Sequence, residues 1–311
     1  MAVDERPLLL VRHHYEGETF GRIEDRFKVV VMDGPVLSRS SADQLERAFG
    51  IWTFGEEIDE ALLRRMPQLR VVVNYGVGID GIDRAALARR GVAFVLPVGA
   101  NADAVADRAF ALLLAVRHRI VESDALVRRG EGSAPDYLPM AGGDVYGTRL
   151  GIVGLGAIGR AVARRARGFA MEVRYSTPRR LSAELEHELG VTHCDLDELL
   201  AWADAVSLHC PLTAQTRGLL SRDRLALMRP DAVLINTARG GIVDQIALIE
   251  MLAGGRLAGA GLDVLIDEPH VPAALLALSN VVLTPHTADA TPGAERALMA
   301  YCVDEVLSLL D

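Results

Sequence analysis

The sequence predicts an α/β protein built from two domains, each a doubly wound parallel sheet. Three observations carry that expectation. The chain has 311 residues, enough for two domains of ordinary size. Short β-branched runs alternate with longer helical stretches along most of it. A glycine-rich strand-to-helix turn, "GIVGLGAIGR", opens a second alternating series near the middle.

In the first series "LLLV" (8–11), "VVVM" (29–32), "VVVN" (71–74) and "VAFVL" (92–96) read as buried strands. "SADQLERAFG" and "DRAALARRG" read as helices, with Asp43 and Asp83 near their starts and Gly50 and Gly91 after their ends. "NADAVADRAFALLLAVRHRIVESDALVRRG" is amphipathic and makes one long helix or two. "EGSAPDYLPMAGGDVYG" reads as loop. Six strand candidates follow, from "RLGIVGLG" to "NVVLTP", the number of a full dinucleotide-binding sheet. The expected division is 1–99 plus 285–311 for the first domain and 100–284 for the second. The last helix then returns to the first domain, and a cleft is expected between the two.

Composition narrows the function. Half the residues are hydrophobic and the net charge is -9, which argues against a nucleic-acid binder and against an anionic membrane surface. Apolar runs such as "AFALLLAV" fall far short of the ~20 residues that span a bilayer. The N-terminus shows no export-type cleavage pattern, so a reducing cytoplasm is the expected location. Three widely spaced cysteines suggest neither a disulfide framework nor a zinc site. Lys28 is the only lysine, which disfavours a P-loop, a pyridoxal Schiff base and a Tyr-x-x-x-Lys pair.

The chemistry-bearing residues lie at predicted strand ends. Gly154 permits a tight turn, Gly156 admits a pyrophosphate to the backbone, and Gly159 lets helix and strand pack closely. A turn with no ligand is the bland alternative, but strand, turn and helix occur in the right order. The next strand commonly ends in an acidic residue that takes the adenosine ribose. Here it ends in "YSTPRR", and Ser176, Thr177, Arg179 and Arg180 suit a 2′-phosphate, so NADPH is favoured over NADH. Arg239, in "INTARGGIVD", could hold an anionic substrate, although on spacing alone a surface arginine fits equally. Glu268 and His286 follow two adjacent strands and could pair as carboxylate and imidazole, an arrangement for proton transfer. His270 is nearer Glu268 in sequence but sits between two prolines, where exposure is expected. The turn "VNYGVGID", with Gly76 and Gly78, could offer backbone N–H groups to a carboxylate, or be a turn without a ligand.

Taken in order, "VNYGVGID", "GLGAIG", "LHCPLTAQT", "NTARGGIVD", "GLDVLIDEP" and "TPHTADAT" resemble the D-isomer-specific 2-hydroxyacid dehydrogenase family. The resemblance implies a flavodoxin-like substrate domain, a Rossmann-like dinucleotide domain and a homodimer. It implies a small-molecule 2-oxo acid as partner, bound by Arg239 and by Val77 and Gly78, with His286 as proton donor paired to Glu268. It implies no metal. Leu155, Ala157 and Ile158 would line the cofactor with the three glycines. Cys210, Pro211 and Thr216 would lie beside the adenosine, Thr237, Ala238 and Ala288 along the cofactor, and Asp263 would bond the nicotinamide amide.

"YSTPRR" is similar to the NADPH-preferring glyoxylate/hydroxypyruvate reductase and hydroxyphenylpyruvate reductase branches. After His286 the family pattern has Gly and then a small residue, whereas here Ala288 precedes Asp289, which is expected to bear on substrate choice. The chain ends at "LSLLD", short of the usual tail. A cytoplasmic NADPH-dependent reductase of glyoxylate or hydroxypyruvate is the leading expectation. A dinucleotide-sensing corepressor and a reductase of larger aromatic or sugar 2-oxo acids are the alternatives.

Overall fold

A computed structural model describes residues 5–79, 81–131 and 142–310. Most of the expected loop at 131–147 therefore lies outside the described residues. The chain forms two units, Met1–Asn101 with Thr291–Asp311, and Ala102–Ala290.

Unit 1 holds β1 (Leu8–Val11), β2 (Lys28–Val31), β3 (Ala48–Thr53), β4 (Val71–Asn74) and β5 (Ala93–Val95). All pair in parallel in the order β2-β1-β3-β4-β5, the flavodoxin-like winding. The central β3 departs from the sequence expectation, in which Gly50 stops a helix. The helix instead ends at Arg47, and Gly50 lies inside a strand. A Cβ there would stand 2.7 Å from Val71 and 2.8 Å from Leu9, so the middle of this sheet requires a residue without one. Helices cover both faces, and the last, Pro292–Ser308, packs Met299, Cys302, Val303 and Val306 on the face carrying Leu9, Val11 and Val71.

Unit 2 holds β6 (Arg149–Val153), β7 (Glu172–Ser176), β8 (Val191–His193), β9 (Ala205–Leu208), β10 (Val233–Asn236), β11 (Gly259–Leu262) and β12 (Val281–Leu283). Seven strands form where six are expected, because β8 is only three residues long and carries little periodicity. The order β12-β11-β10-β9-β6-β7-β8 is all parallel and reverses direction at β6 and β9. That reversal opens a crevice at the carboxyl ends of the two strands, the place where such sheets bind ligands. The long amphipathic segment is two helices, Ala102–Arg117 and Ile120–Arg128, broken where Arg119 adopts φ 51°. The boundary between units falls after Ala290 rather than after 284, because residues 286–288 are hydrogen-bonded to Asp263.

In both units buried polar side chains gather at the carboxyl ends of strands. Thr53 and Asn74 do so in unit 1, and Ser207, Asn236, Thr237 and Asp263 in unit 2. Interior positions on these strands are otherwise almost all apolar, so the polar edge marks where each sheet is built for something besides packing.

Candidate active site

The pair Glu268 and His286 is assembled by two neighbouring strand ends of unit 2. His286 Nδ1 lies 2.6 Å from Glu268 Oε2. The other oxygen of Glu268 accepts the Leu265 N–H at 2.8 Å, which ties the carboxylate to its own loop. With Nδ1–H directed at a carboxylate, Nε2 is left as the ring atom that can hold or release a proton. The side chains remain 46% and 35% exposed, open enough for a small substrate to reach the ring. His270 is exposed and its backbone N–H donates to Asp267. Nearness in sequence therefore does not choose the partner of Glu268.

His286 itself has φ 53°, a left-handed conformation that few residues other than glycine adopt. Asp263 imposes it. This carboxylate is 1% exposed and accepts hydrogen bonds from the Thr284 hydroxyl, the Thr287 N–H at 3.1 Å and the Ala288 N–H at 3.0 Å. Its backbone carbonyl takes the His286 N–H at 2.8 Å. Asp263, assigned by resemblance to the nicotinamide amide, has both carboxylate oxygens engaged by the turn that presents His286. Ala288, within that turn, is buried, and Asp289 is half-buried and already engaged within the protein.

Arg239 reaches the same edge from β10. Asn236 brackets its turn, accepting the Ala238 N–H and donating to the Arg239 carbonyl, each at 3.0 Å. Gly240 then runs so close to the next loop that a Cβ would lie 2.1 Å from the carbonyl carbon of Leu265 and 2.5 Å from Ile266 N. The glycine after the arginine thus locks the Arg239 turn against the segment leading to Glu268. Gln245 adds a tie, its Oε1 accepting the Ile266 N–H at 3.2 Å. Asn236, Gly240, Gln245 and Thr284 were not singled out by sequence. The signal was present for Gly240 alone, in the paired glycines after the arginine.

The three glycines behave as their spacing implies. Gly154 has φ 94°, and a Cβ there would meet Cys210 N at 2.6 Å. A Cβ on Gly159 would lie 2.2 Å from the Gly154 carbonyl oxygen. Around Gly156 nothing stands within 4 Å, and Gly156 caps the helix Ala157–Gly168 without any side-chain hydrogen bond. An open helix N-terminus flanked by backbone, with Leu155, Ala157 and Ile158 beside it, is a cradle that fits a pyrophosphate.

Around this cradle the predicted residues divide. Burial pushes the Cys210 thiol up to about 11, so it is held in its neutral form near neutral pH. Thr216 closes its own loop, donating to the Pro211 carbonyl at 2.6 Å. Thr237 is buried, 3.5 Å from His209 Nδ1, and Ala238 is half-buried beside it. His209, which the sequence did not single out, also lies 2.8 Å from the Ser207 hydroxyl, and burial pushes its pKa down to about 3. Ser176 ends β7 half-buried, while Thr177 donates its hydroxyl proton to the Arg179 carbonyl at 2.8 Å. Arg179 is exposed. Arg180 is committed to Glu186 through two hydrogen bonds of 2.9 and 2.7 Å. The sequence groups Arg179 and Arg180 together, and the structure separates them.

In unit 1, Asn74 Nδ2 donates to the carbonyls of Gly76 at 3.0 Å and Gly78 at 2.7 Å. Peptide planarity then turns the Val77 N–H away from Asn74. Among the described residues no cluster of three or more metal-ligating side chains occurs, and no helix is long and apolar enough to cross a membrane.

Comparison with known proteins shows the family. Residues 110–288 match the family model described as D-isomer specific 2-hydroxyacid dehydrogenase, NAD binding domain. Over 247 residues the chain is 44% identical to a glyoxylate reductase of Thermococcus litoralis, covering 78% of this chain and 74% of that one. It is 38% identical over 308 residues to glyoxylate/hydroxypyruvate reductase B of Pectobacterium carotovorum, covering 98% and 95%. Among solved structures, an NADPH-dependent glyoxylate/hydroxypyruvate reductase from Sinorhizobium meliloti, in complex with NADP and malonate, superposes with TM-score 0.87. Its identity is 32%, over 99% of this chain and 94% of that one.

Proposed function

The chain belongs to the D-isomer specific 2-hydroxyacid dehydrogenases, and from that premise we propose that it reduces glyoxylate or hydroxypyruvate to the D-2-hydroxy acid with NADPH. The observation that carries this reading is the 2.6 Å contact of His286 with Glu268. A carboxylate behind an imidazole fixes its orientation and tautomer, which is what a proton donor to a carbonyl oxygen needs.

In the proposed reaction Arg239 binds the substrate carboxylate and stabilises the charge that grows on the carbonyl oxygen. The backbone at Val77 and Gly78 is assigned to a substrate carboxylate by the family resemblance alone. His286 Nε2 donates its proton to the carbonyl oxygen, and Glu268 holds the ring in the tautomer that allows it. Asp263 acts by holding the turn that presents His286. The pyrophosphate of the dinucleotide is assigned to Gly154, Gly156, Gly159 and the residues between them. When bound, the nicotinamide supplies hydride, and the chain's residues supply orientation and the proton.

The NADPH preference is supported by the absence of a carboxylate at the end of β7 and by the cofactor named for the Sinorhizobium relative. A homodimer belongs to the proposal, supported by the bare apolar side chains Ile120, Val121 and Val127 on the helix Ile120–Arg128. Light scattering reads it.

The test is oxidation of NADPH and of NADH across a panel of 2-oxo acids. We expect turnover of glyoxylate or hydroxypyruvate, with saturation at lower NADPH than NADH. Saturation at much lower NADH overturns the cofactor assignment. Tight dinucleotide binding with no turnover of any 2-oxo acid overturns the reductase reading in favour of a sensor.

A further inference from the structure

The loop after β7 carries two adjacent arginines, and one of them faces a buried acid. Glu186, on the helix Ala183–Leu189, is 8% exposed. Its Oε1 accepts from Arg180 Nε at 2.9 Å and from the Tyr175 hydroxyl at 2.6 Å, and its Oε2 accepts from Arg180 Nη2 at 2.7 Å. The Tyr175 hydroxyl in turn accepts the Leu181 N–H at 2.9 Å. These hydrogen bonds hold the Glu186 carboxyl down at about 2, so it is ionised throughout the working range.

A carboxylate withdrawn from water must be matched in charge and in hydrogen bonds. The bidentate fork of Arg180 does both, and it is the geometry arginine uses for carboxylate and phosphate alike. The fork face is therefore already taken. The rest of the loop is clamped as well, since His193 Nε2 lies 3.3 Å from the Thr177 carbonyl and the Thr177 hydroxyl is turned onto the Arg179 carbonyl. Arg179 stands apart, exposed and entering no ion pair among the described residues.

We propose that Glu186 is a positioning and charge-cancelling residue of the dinucleotide site: it captures the Arg180 guanidinium, so Arg179 alone is the cation presented to a 2′-phosphate. This rests on the NADPH reading above and deepens it. Arg180 then favours NADPH indirectly, by neutralising an acid that would otherwise repel the doubly charged phosphate.

The experiment compares binding of adenosine 2′,5′-bisphosphate and 5′-AMP by titration calorimetry, in the unsubstituted protein and in Arg179→Ala, Arg180→Ala and Arg180→Ala/Glu186→Gln. The ratio of the two affinities isolates the 2′-phosphate, and a merely structural defect would lower both ligands together. The unsubstituted protein is expected to prefer the bisphosphate, and Arg179→Ala to lose roughly 10- to 100-fold of that preference. Arg180→Ala is expected to lose preference too, and the added Glu186→Gln to restore it to within about 3-fold of the starting ratio. A double variant as poor as Arg180→Ala, or an Arg179→Ala protein with its preference intact, overturns the inference while leaving the NADPH reading standing. Equal affinity of the unsubstituted protein for both ligands overturns the NADPH reading, and this inference with it.

Discussion

His286 Nδ1 and Glu268 Oε2 stand 2.6 Å apart across eighteen residues of sequence, while His270, two residues from Glu268, is exposed and makes no hydrogen bond or ion pair with it among the described residues. The pairing follows from β11 and β12 lying side by side in parallel, so that the loops after them emerge at one edge. Replacing His286 with Ala should lower kcat for 2-oxo acid reduction by roughly 10²- to 10⁴-fold, with dinucleotide affinity retained. Glu268→Gln keeps the shape and removes the charge, and should cost about 10-fold or more in kcat with little change in dinucleotide binding. Steady-state rates beside a dinucleotide titration check both, and a near-normal rate in either variant refutes its role.

His270→Ala is the matched control. The side chain is exposed and outside the Glu268 contacts, so kcat and KM should stay within about 2-fold of the parent. A loss comparable with that of His286→Ala would show that the wrong histidine has been assigned.

The glycines of the turn should separate folding from binding. A methyl at Gly156 meets no protein atom within 4 Å, so Gly156→Ala should melt close to the parent yet bind the dinucleotide at least about 10-fold more weakly. At Gly159 the same methyl would lie 2.2 Å from the Gly154 carbonyl oxygen, and the variant should lose several degrees of Tm. Calorimetric melting curves and a binding titration read the two effects, and identical behaviour of the two variants contradicts this division.

Gly240→Ala tests how Arg239 is placed. The new methyl would meet the Leu265–Ile266 backbone at 2.1 to 2.5 Å, so the two loops must part. KM for the 2-oxo acid should rise by about 10-fold or more, and Tm should fall, while the affinity for dinucleotide changes less. An unchanged KM would mean that the close approach does not position the arginine.

His209 supplies a pH dependence. Burial lowers its pKa from 6.5 to about 3, so between those values the unfolded chain holds a proton that the folded chain lacks. Stability from this residue is full above about pH 6.5 and is lost as the pH falls toward 3. Tm should therefore drop less from pH 7.5 to pH 5 in His209→Gln than in the parent. Equal drops in calorimetry would exclude His209 as a source of the acid sensitivity.

Some features were readable along the chain because they are local. The G-x-G-x-x-G turn needs only its own backbone and the strand and helix beside it, so its spacing alone located the tight turn and the helix start after it. The two parallel sheets followed largely from β-branched runs of strand length, and Arg239, Glu268 and His286 each followed a predicted strand. The strands that escaped notice show where this reading fails. β3 contains Gly50, a residue that stops helices in isolation but is demanded here by Val71 and Leu9 on either side. β8, at three residues, is a strand only because β7 is beside it.

The pairing of Glu268 with His286 was expected from adjacent strand ends and from the family resemblance, and the 2.6 Å contact makes it. Other partnerships were not readable, because they join residues that meet only after strands are in register. The order of residues along the chain does not say that both oxygens of Asp263 hold the turn bearing that histidine. It also made Arg179 and Arg180 look equivalent. Folding distinguishes them, because helix Ala183–Leu189 brings the largely desolvated Glu186 within reach of one guanidinium and leaves the other in water. Backbone propensity and turn chemistry are carried by neighbours in sequence, whereas the commitment of a charge is settled by which opposite charge the fold has taken out of solvent beside it.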